Sequence, residues 1–250
     1  MKRLLYRDDH FIALFKAHDL FVHPSGLGPG QPSLMKRWRN LLDTPLYPVH
    51  RLDRATAGLV LFALNPEAAK NLASQFRNRE MDKRYLAIVR GYTDDSGTID
   101  HPLKKEKNQT LLPAITQYKR LAKVELPYPV GRYATARYSL LETRPETGRQ
   151  HQIRRHCLHI SHPIVGDRVY GDGRHNHFMA EHLQSKRLWL FARSLAFRHP
   201  VSQAPMFLEA KPDSDWRRAC AQLFAIEDLS EVAPSAPPSW EQTGVPDEHS

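Results

Sequence analysis

Cysteine is scarce in this chain: Cys157 and Cys220 are the only two in 250 residues, too few for a disulfide framework. Such usage fits a reducing compartment, so a cytoplasmic location is expected. Long apolar runs are missing too. Nothing approaches the roughly 20 residues that cross a bilayer. The apolar part of MKRLLYRDDH is broken by Arg7, Asp8 and Asp9, which does not read as a signal peptide. No HExxH or CxxC pair occurs, and the glycine-rich SGLGPGQPS is followed by no Gly-Lys-Ser/Thr. Zinc-site spacing and a P-loop are therefore both unsupported. Lys and Arg stop at Arg218, after which come Glu227, Asp228, Glu231, Glu241, Asp247 and Glu248.

What is present is positive charge. The chain holds 36 Lys and Arg against 27 Asp and Glu, a formal net charge of +9. Because six of the acids follow Arg218, the body before it is more basic still. A polyanion is the partner this fits, with nucleic acid first. No basic amphipathic helix or lipidation motif points to a membrane surface. With 41% hydrophobic residues, there is material for one large domain or two subdomains sharing a sheet.

Along the chain, LLYRDDHFIALFKA reads as two short strands joined at Asp8-Asp9. LVLFAL is a buried strand, and Asn65-Pro66-Glu67 starts a helix with Asn65 as N-cap. KRYLAIVRGY is a strand ending at Gly91, and residues 101–113 a Lys-rich polar connection. AITQYKRLAKVEL and ATARYSLLETRP pair as strands, and HQIRRHCLHISH is a helix stopped by Pro163. RLWLFARSLAF and MFLEA are late strands, DWRRACAQLF a terminal helix. Residues 230–250, Pro-rich and acidic, are expected to be disordered, leaving 1–229 as the folded domain. Hairpins outnumber βαβ units, so the expected class is mixed α/β (α+β), with a large, mostly antiparallel sheet.

Three stretches could carry chemistry. HRLDRATAG sets Asp53 between Arg51 and Arg54, which fits either a surface ion pair or a carboxylate kept ionised in a cationic groove. In TGRQHQIRRH, a helix from Gln150 puts Ile153, Cys157 and Ile160 on one face, with Arg154 at its edge. A partly buried Arg154 needs an acid, and Asp53 is a candidate. His151, His156, Cys157, His159 and His162 crowd the same segment, and RNA-facing or surface histidines fit their spacing better than a metal site. Tyr85, in KRYLAIVRG, is either a core aromatic or a stacking platform for a base.

Together the three stretches resemble the signatures of the RluA-type pseudouridine synthases. HRLDRATAG is similar to that family's HRLD-x-x-T-S-G, KRYLAIVRG to its active-site tyrosine segment, and TGRQHQIRRH to its TGR-x-HQ-[LI]-R-x-H. The sequence departs from the family at Ala57, where serine is usual, and at Phe191, where the late strand usually reads LHA. A third departure is Lys16-Ala17-His18-Asp19, where the family has Lys-Pro-x-Gly.

The resemblance implies the pseudouridine synthase fold: two subdomains flanked by helices with a central catalytic cleft, here without an N-terminal S4 domain. It implies Asp53 as the catalytic carboxylate, Arg154 as its partner and Tyr85 as the platform for the uracil. Arg51 would fill the gap in the RNA stack, and His50, Arg54, Lys83, Arg149, Lys104 and Lys105 would contact RNA. The reaction adds and removes no atoms, so no cofactor and no metal are expected. HPIVGDRVYGDGRHNHF most resembles the branch acting on tRNA, at uridine 65 where the T-stem meets the acceptor. Ribosomal RNA is the alternative substrate. A non-catalytic RNA chaperone, or a glycosylase with a second acid, would not use this residue set. A monomer with tRNA as its partner, no protein partner and no membrane association is expected.

Overall fold

The computed structural model describes residues 3–23, 32–105 and 110–233. The glycine-rich segment and most of the expected tail, 234–250, lie outside the described residues. The elements in order are β1 (Leu4–Arg7), β2 (Phe11–Lys16), α1 (Leu34–Leu42), β3 (Tyr47–Pro48), β4 (Ala57–Ala63) and α2 (Pro66–Asn78). Next come β5 (Asp82–Arg90), β6 (Ser96–Asp100), β7 (Leu103–Lys104), β8 (Leu111–Leu112), β9 (Ile115–Leu126) and β10 (Ala136–Pro145). Then follow α3 (Gln152–His159), α4 (Gly173–His182), β11 (Leu190–Arg198), β12 (Pro205–Glu209), α5 (Ser214–Phe224) and α6 (Leu229–Val232). Among the described residues, no helix is long and apolar enough to cross a membrane.

A large sheet runs β1-β2-β4-β11-β5-β10-β9-β6, with β12 beside β11 and β3 beside β4. Among the described residues β4–β11 is its parallel pairing; the others are antiparallel, as expected. Side-chain alternation along each strand feeds both faces. Leu86 and Ile88 of β5, with Leu59 and Leu61 of β4, enter the main core, which also holds residues of α2, α4 and α5. On the opposite face lie two smaller cores. Val60 and Phe62 pack with Leu34 and Trp38 of α1 in one; Ala87 and Val89 pack with Ile153 and Cys157 of α3 in the other. Tyr85 packs against both. The line where they meet is the cleft.

Gly58 explains the glycine of HRLDRATAG. Its φ is +123°, and a Cβ there would lie 2.1 Å from the Ala192 carbonyl oxygen. Only glycine lets β4 run this close to β11. In that same parallel register Ala57 faces Phe191, and both are fully buried in the main core. Two of the departures from the family pattern are therefore neighbours: an expected Ser–His pair is replaced by an apolar Ala–Phe pair.

Three local expectations are corrected. The Lys-rich connection contains a short hairpin, β7 with β8. The fold runs past residue 229: Asp228 caps α6 and Ala233 is buried, because the apolar Leu229 and Ala233 find cover there. Helix α3 starts at Gln152 rather than Gln150, with His151 as its N-cap, and Ile160 forms its C-cap. Helices α1 and α4, and strand β6, were not read from the sequence.

Candidate active site

Asp53 lies in the turn between β3 and β4, where Thr56 N–H donates to its carbonyl. The residues before it anchor that turn. Leu52 is buried with α1, while Arg51 is exposed. His50, expected to contact RNA, turns into the fold: Leu61 N–H donates to its Nε2 at 2.8 Å, and its ring stacks on Phe76 at 4.4 Å. Burial, helped by the nearby Lys83 charge, pushes its pKa down to about 3. Between there and its ordinary 6.5 the unfolded chain is protonated and the folded chain is not. Stability is therefore lost as the pH falls from 6.5 towards 3. This group removes about 1.4 kcal/mol per unit well inside that window. Melting temperature measured against pH is expected to fall less steeply in His50→Gln than in the parent.

The loop opposite is closed by its own motif. Thr147 Oγ1 donates to Gln152 Oε1 at 2.6 Å, and Gln152 Nε2 donates to the Ile115 carbonyl and to Thr116 Oγ1. His156 is fully buried, its nitrogens against Thr116 Oγ1 and the His101 carbonyl. It is a core histidine, contrary to the expectation of an RNA-facing or surface one, because a long-range carbonyl and hydroxyl satisfy both ring nitrogens inside the fold. Among the described residues no three His, Cys, Asp or Glu side chains gather as metal ligands.

Arg154 projects from α3 into the cleft and does meet Asp53, Nη1 to Oδ2 at 3.2 Å. Its stronger partner is one the sequence did not reveal. Nε and Nη2 donate to the two oxygens of Asp167 at 2.6 and 2.8 Å. The Asp167 side chain has no exposure, and Oδ1 also accepts the backbone N–H groups of Val169 and Tyr170. Burial alone would raise the Asp167 pKa, but the Arg154 guanidinium and those N–H groups outweigh it and hold it below the carboxylate range. Burial likewise opposes the Arg154 charge, and its two acids more than offset that. The bidentate contact fixes the plane of the guanidinium, which leaves Nη1 aimed at Asp53.

Lys16 secures the other side. Fully buried, its Nζ donates to the carbonyls of Ala17, Leu20 and Arg54, tying the Asp53 turn to the end of β2. Burial pushes its pKa down to about 7, against the pull of Asp53 and Asp19. Asp19, standing where the family has glycine, takes the left-handed conformation itself, φ 56°, one that aspartate tolerates better than most residues.

The cavity between these loops has a volume of about 440 Å³. Its lining includes Asp53, Tyr85, Lys83, Arg149, His151 and Arg154, with Arg51 and His50 at the same wall. Arg54, Lys104 and Lys105 do not line it. Arg54 instead lies 3.8 Å from Asp19 and over the Phe21 ring, and the two lysines belong to the exposed end of the β7–β8 hairpin. Asp53 is the single acid among the described lining residues. Burial pushes Lys83 down to about 8, and its Nζ donates to the Thr147 carbonyl. Burial and the Asp53 charge raise the Tyr85 pKa, so its ring stays neutral. The arrangement offers one carboxylate, an aromatic plate and several cations around a space the size of a small ligand.

Comparison with known proteins identifies a family and relatives. Residues 10–159 match the family model described as RNA pseudouridylate synthase. A tRNA pseudouridine synthase C from Vibrio cholerae is 40% identical over 240 residues, covering 92% of this chain and 98% of the relative. One from Haemophilus ducreyi is 43% identical over 224 residues, covering 86% and 92%. A longer one from Pectobacterium carotovorum is 42% identical over 234 residues; the match covers 89% of this chain but 62% of that relative's length. In fold, the chain is similar to the human RNA pseudouridylate synthase domain containing 1, with TM-score 0.71, 24% identity, and 95% and 97% of the two chains covered. The family model matches more than half of the chain and relatives at about 40% identity cover most of it; the chain belongs to the RNA pseudouridylate synthase family.

Proposed function

We propose that the protein isomerises a uridine of tRNA to pseudouridine, at position 65 where the T-stem meets the acceptor stem, with Asp53 as its one catalytic carboxylate. The observation that carries this reading is the lone Asp53, held by Arg154 in a cavity whose charged lining is otherwise cationic and whose wall includes the Tyr85 ring. The C1′–N1 bond of the uridine breaks, the base turns, and C5 bonds to C1′. A second acid, which a two-carboxylate glycosidase uses, has no counterpart in the lining. Asp167, the nearby acid, is consumed by Arg154.

The target base must leave its stack to reach Asp53, at a cost of a few kcal/mol. Lys83, Arg149 and Arg51 offset this through phosphate contacts at the cavity, while Arg54, Lys104 and Lys105 extend the cationic surface outward. Tyr85 holds the everted uracil by stacking. The tRNA substrate is supported by the relatives named above and by the +9 charge. Pseudouridines mapped in total RNA from cells with and without the gene test the substrate. One tRNA position should revert to uridine; a site lost from ribosomal RNA alone would overturn the tRNA assignment.

A further inference from the structure

His151 occupies a helix N-cap in a way that N-caps rarely show. Such positions favour Ser, Thr, Asp or Asn in extended backbone, with the side chain accepting a helix N–H. Ser33, Asn65, Asp172 and Asp213 follow that pattern at α1, α2, α4 and α5. His151 instead is left-handed, φ 53° and ψ 27°, and its side chain makes no capping hydrogen bond. A non-glycine residue held there stores strain, and such positions cluster where a side chain has other work. Here the imidazole is turned to the cavity. Its Nε2 lies 3.8 Å from Asp53 Oδ1, and its Nδ1 is 3.1 Å from the Tyr170 hydroxyl. The Tyr170 ring in turn lies under the Arg154 guanidinium, at 5.1 Å.

On the proposed isomerisation, one proton has no handler yet. Once C5 has bonded to C1′, C5 still carries its hydrogen and N1 lacks one. Asp53 faces the sugar and base, Arg154 is cationic between two acids, and the Tyr85 hydroxyl stays protonated. An imidazole is the side chain that accepts and returns a proton near neutral pH.

We propose that His151 is a catalytic residue whose Nε2 removes the C5 proton of the rejoined base. The C5–H electron pair forms the C5–C6 double bond, the C6–N1 π pair moves onto N1, and N1 takes a proton from the imidazolium or from solvent. Charged and titratable groups near the ring include Asp53 from the β3–β4 turn, Tyr170 from the α3–α4 connection and, through Tyr170, Arg154 of its own helix. The Tyr170 hydroxyl can accept from Nδ1–H, which leaves Nε2 the basic nitrogen of the neutral ring, and the same hydrogen bond persists once Nε2 is protonated.

The test compares tRNA carrying ordinary or C5-deuterated uridine, turned over by the parent and by His151→Asn, a substitution that tolerates the left-handed backbone. Turnover by the variant is expected to fall about 100-fold, with deuterium becoming a clear brake where the parent shows little. Slow turnover with an unchanged deuterium effect would reduce His151 to a positioning group, and unchanged turnover would remove it; either overturns the proposal. Absence of pseudouridine from the parent reaction would instead sink the functional reading beneath it.

Discussion

Asp53→Asn is expected to lower pseudouridine formation by about 10⁴-fold or more, the scale seen when a single essential nucleophile or base is removed, while leaving the fold intact. The substitution keeps the shape of the side chain and an oxygen for Arg154 Nη1, and removes the negative charge. Arg154 does not become an orphan, because Asp167 holds it through two hydrogen bonds of its own. The melting temperature should therefore move little. Affinity for tRNA should hold or tighten, since a negative group leaves a cavity lined by Arg51, Lys83, Arg149 and Arg154. Single-turnover kinetics with a tRNA transcript, together with a melting curve, check both halves. A loss smaller than tenfold would take Asp53 out of the chemistry.

Asp167→Ala should do the reverse and strike stability first. It strips a buried guanidinium of its bidentate partner and leaves the backbone N–H groups of Val169 and Tyr170 without an acceptor. Breaking a buried pair in this way costs about 3–5 kcal/mol. At about 2–4 °C per kcal/mol for a chain of this size, the melting temperature should drop by about 6–20 °C. Activity measured well below the melting point should fall as well, because the plane of Arg154 is no longer fixed against Asp53. A thermal shift under about 2 °C, below the low end of that scaling, would mean that Asp53 alone satisfies Arg154.

These two substitutions mark where the sequence was legible. Asp53 and Arg154 stood out through the paired stretches HRLDRATAG and TGRQHQIRRH and their resemblance to the family's motifs; taken alone, the first fits a surface ion pair as well, and the second asks only that a partly buried arginine find some acid. Their contact, 101 residues apart in the chain, is present. Strands β1, β2, β4, β5, β9, β10, β11 and β12, helix α2 with its Asn65 cap, and the antiparallel character followed from apolar patterning, hairpin signals and capping. Asp167 was not legible. In HPIVGDRVYG it looks like any turn aspartate, and its value depends on the chain returning 13 residues later beneath α3. His50 and His156 misled for the same reason, since the groups that draw them inward, the Leu61 N–H, the His101 carbonyl and Thr116 Oγ1, lie elsewhere in the chain. Helix α1 went unread because its core contacts, Leu34 and Trp38, are spaced among exposed basic residues. The departures at Ala57, Phe191 and Asp19 became intelligible only through register and backbone angle.

One measurement bears most directly on the account. Purified protein is incubated with an unmodified tRNA transcript, and the RNA is digested and read for pseudouridine and for free uracil. The account predicts one pseudouridine, at position 65, no change in RNA mass and no uracil released. Released uracil with an abasic site, or a transcript whose uridines all persist, would contradict it.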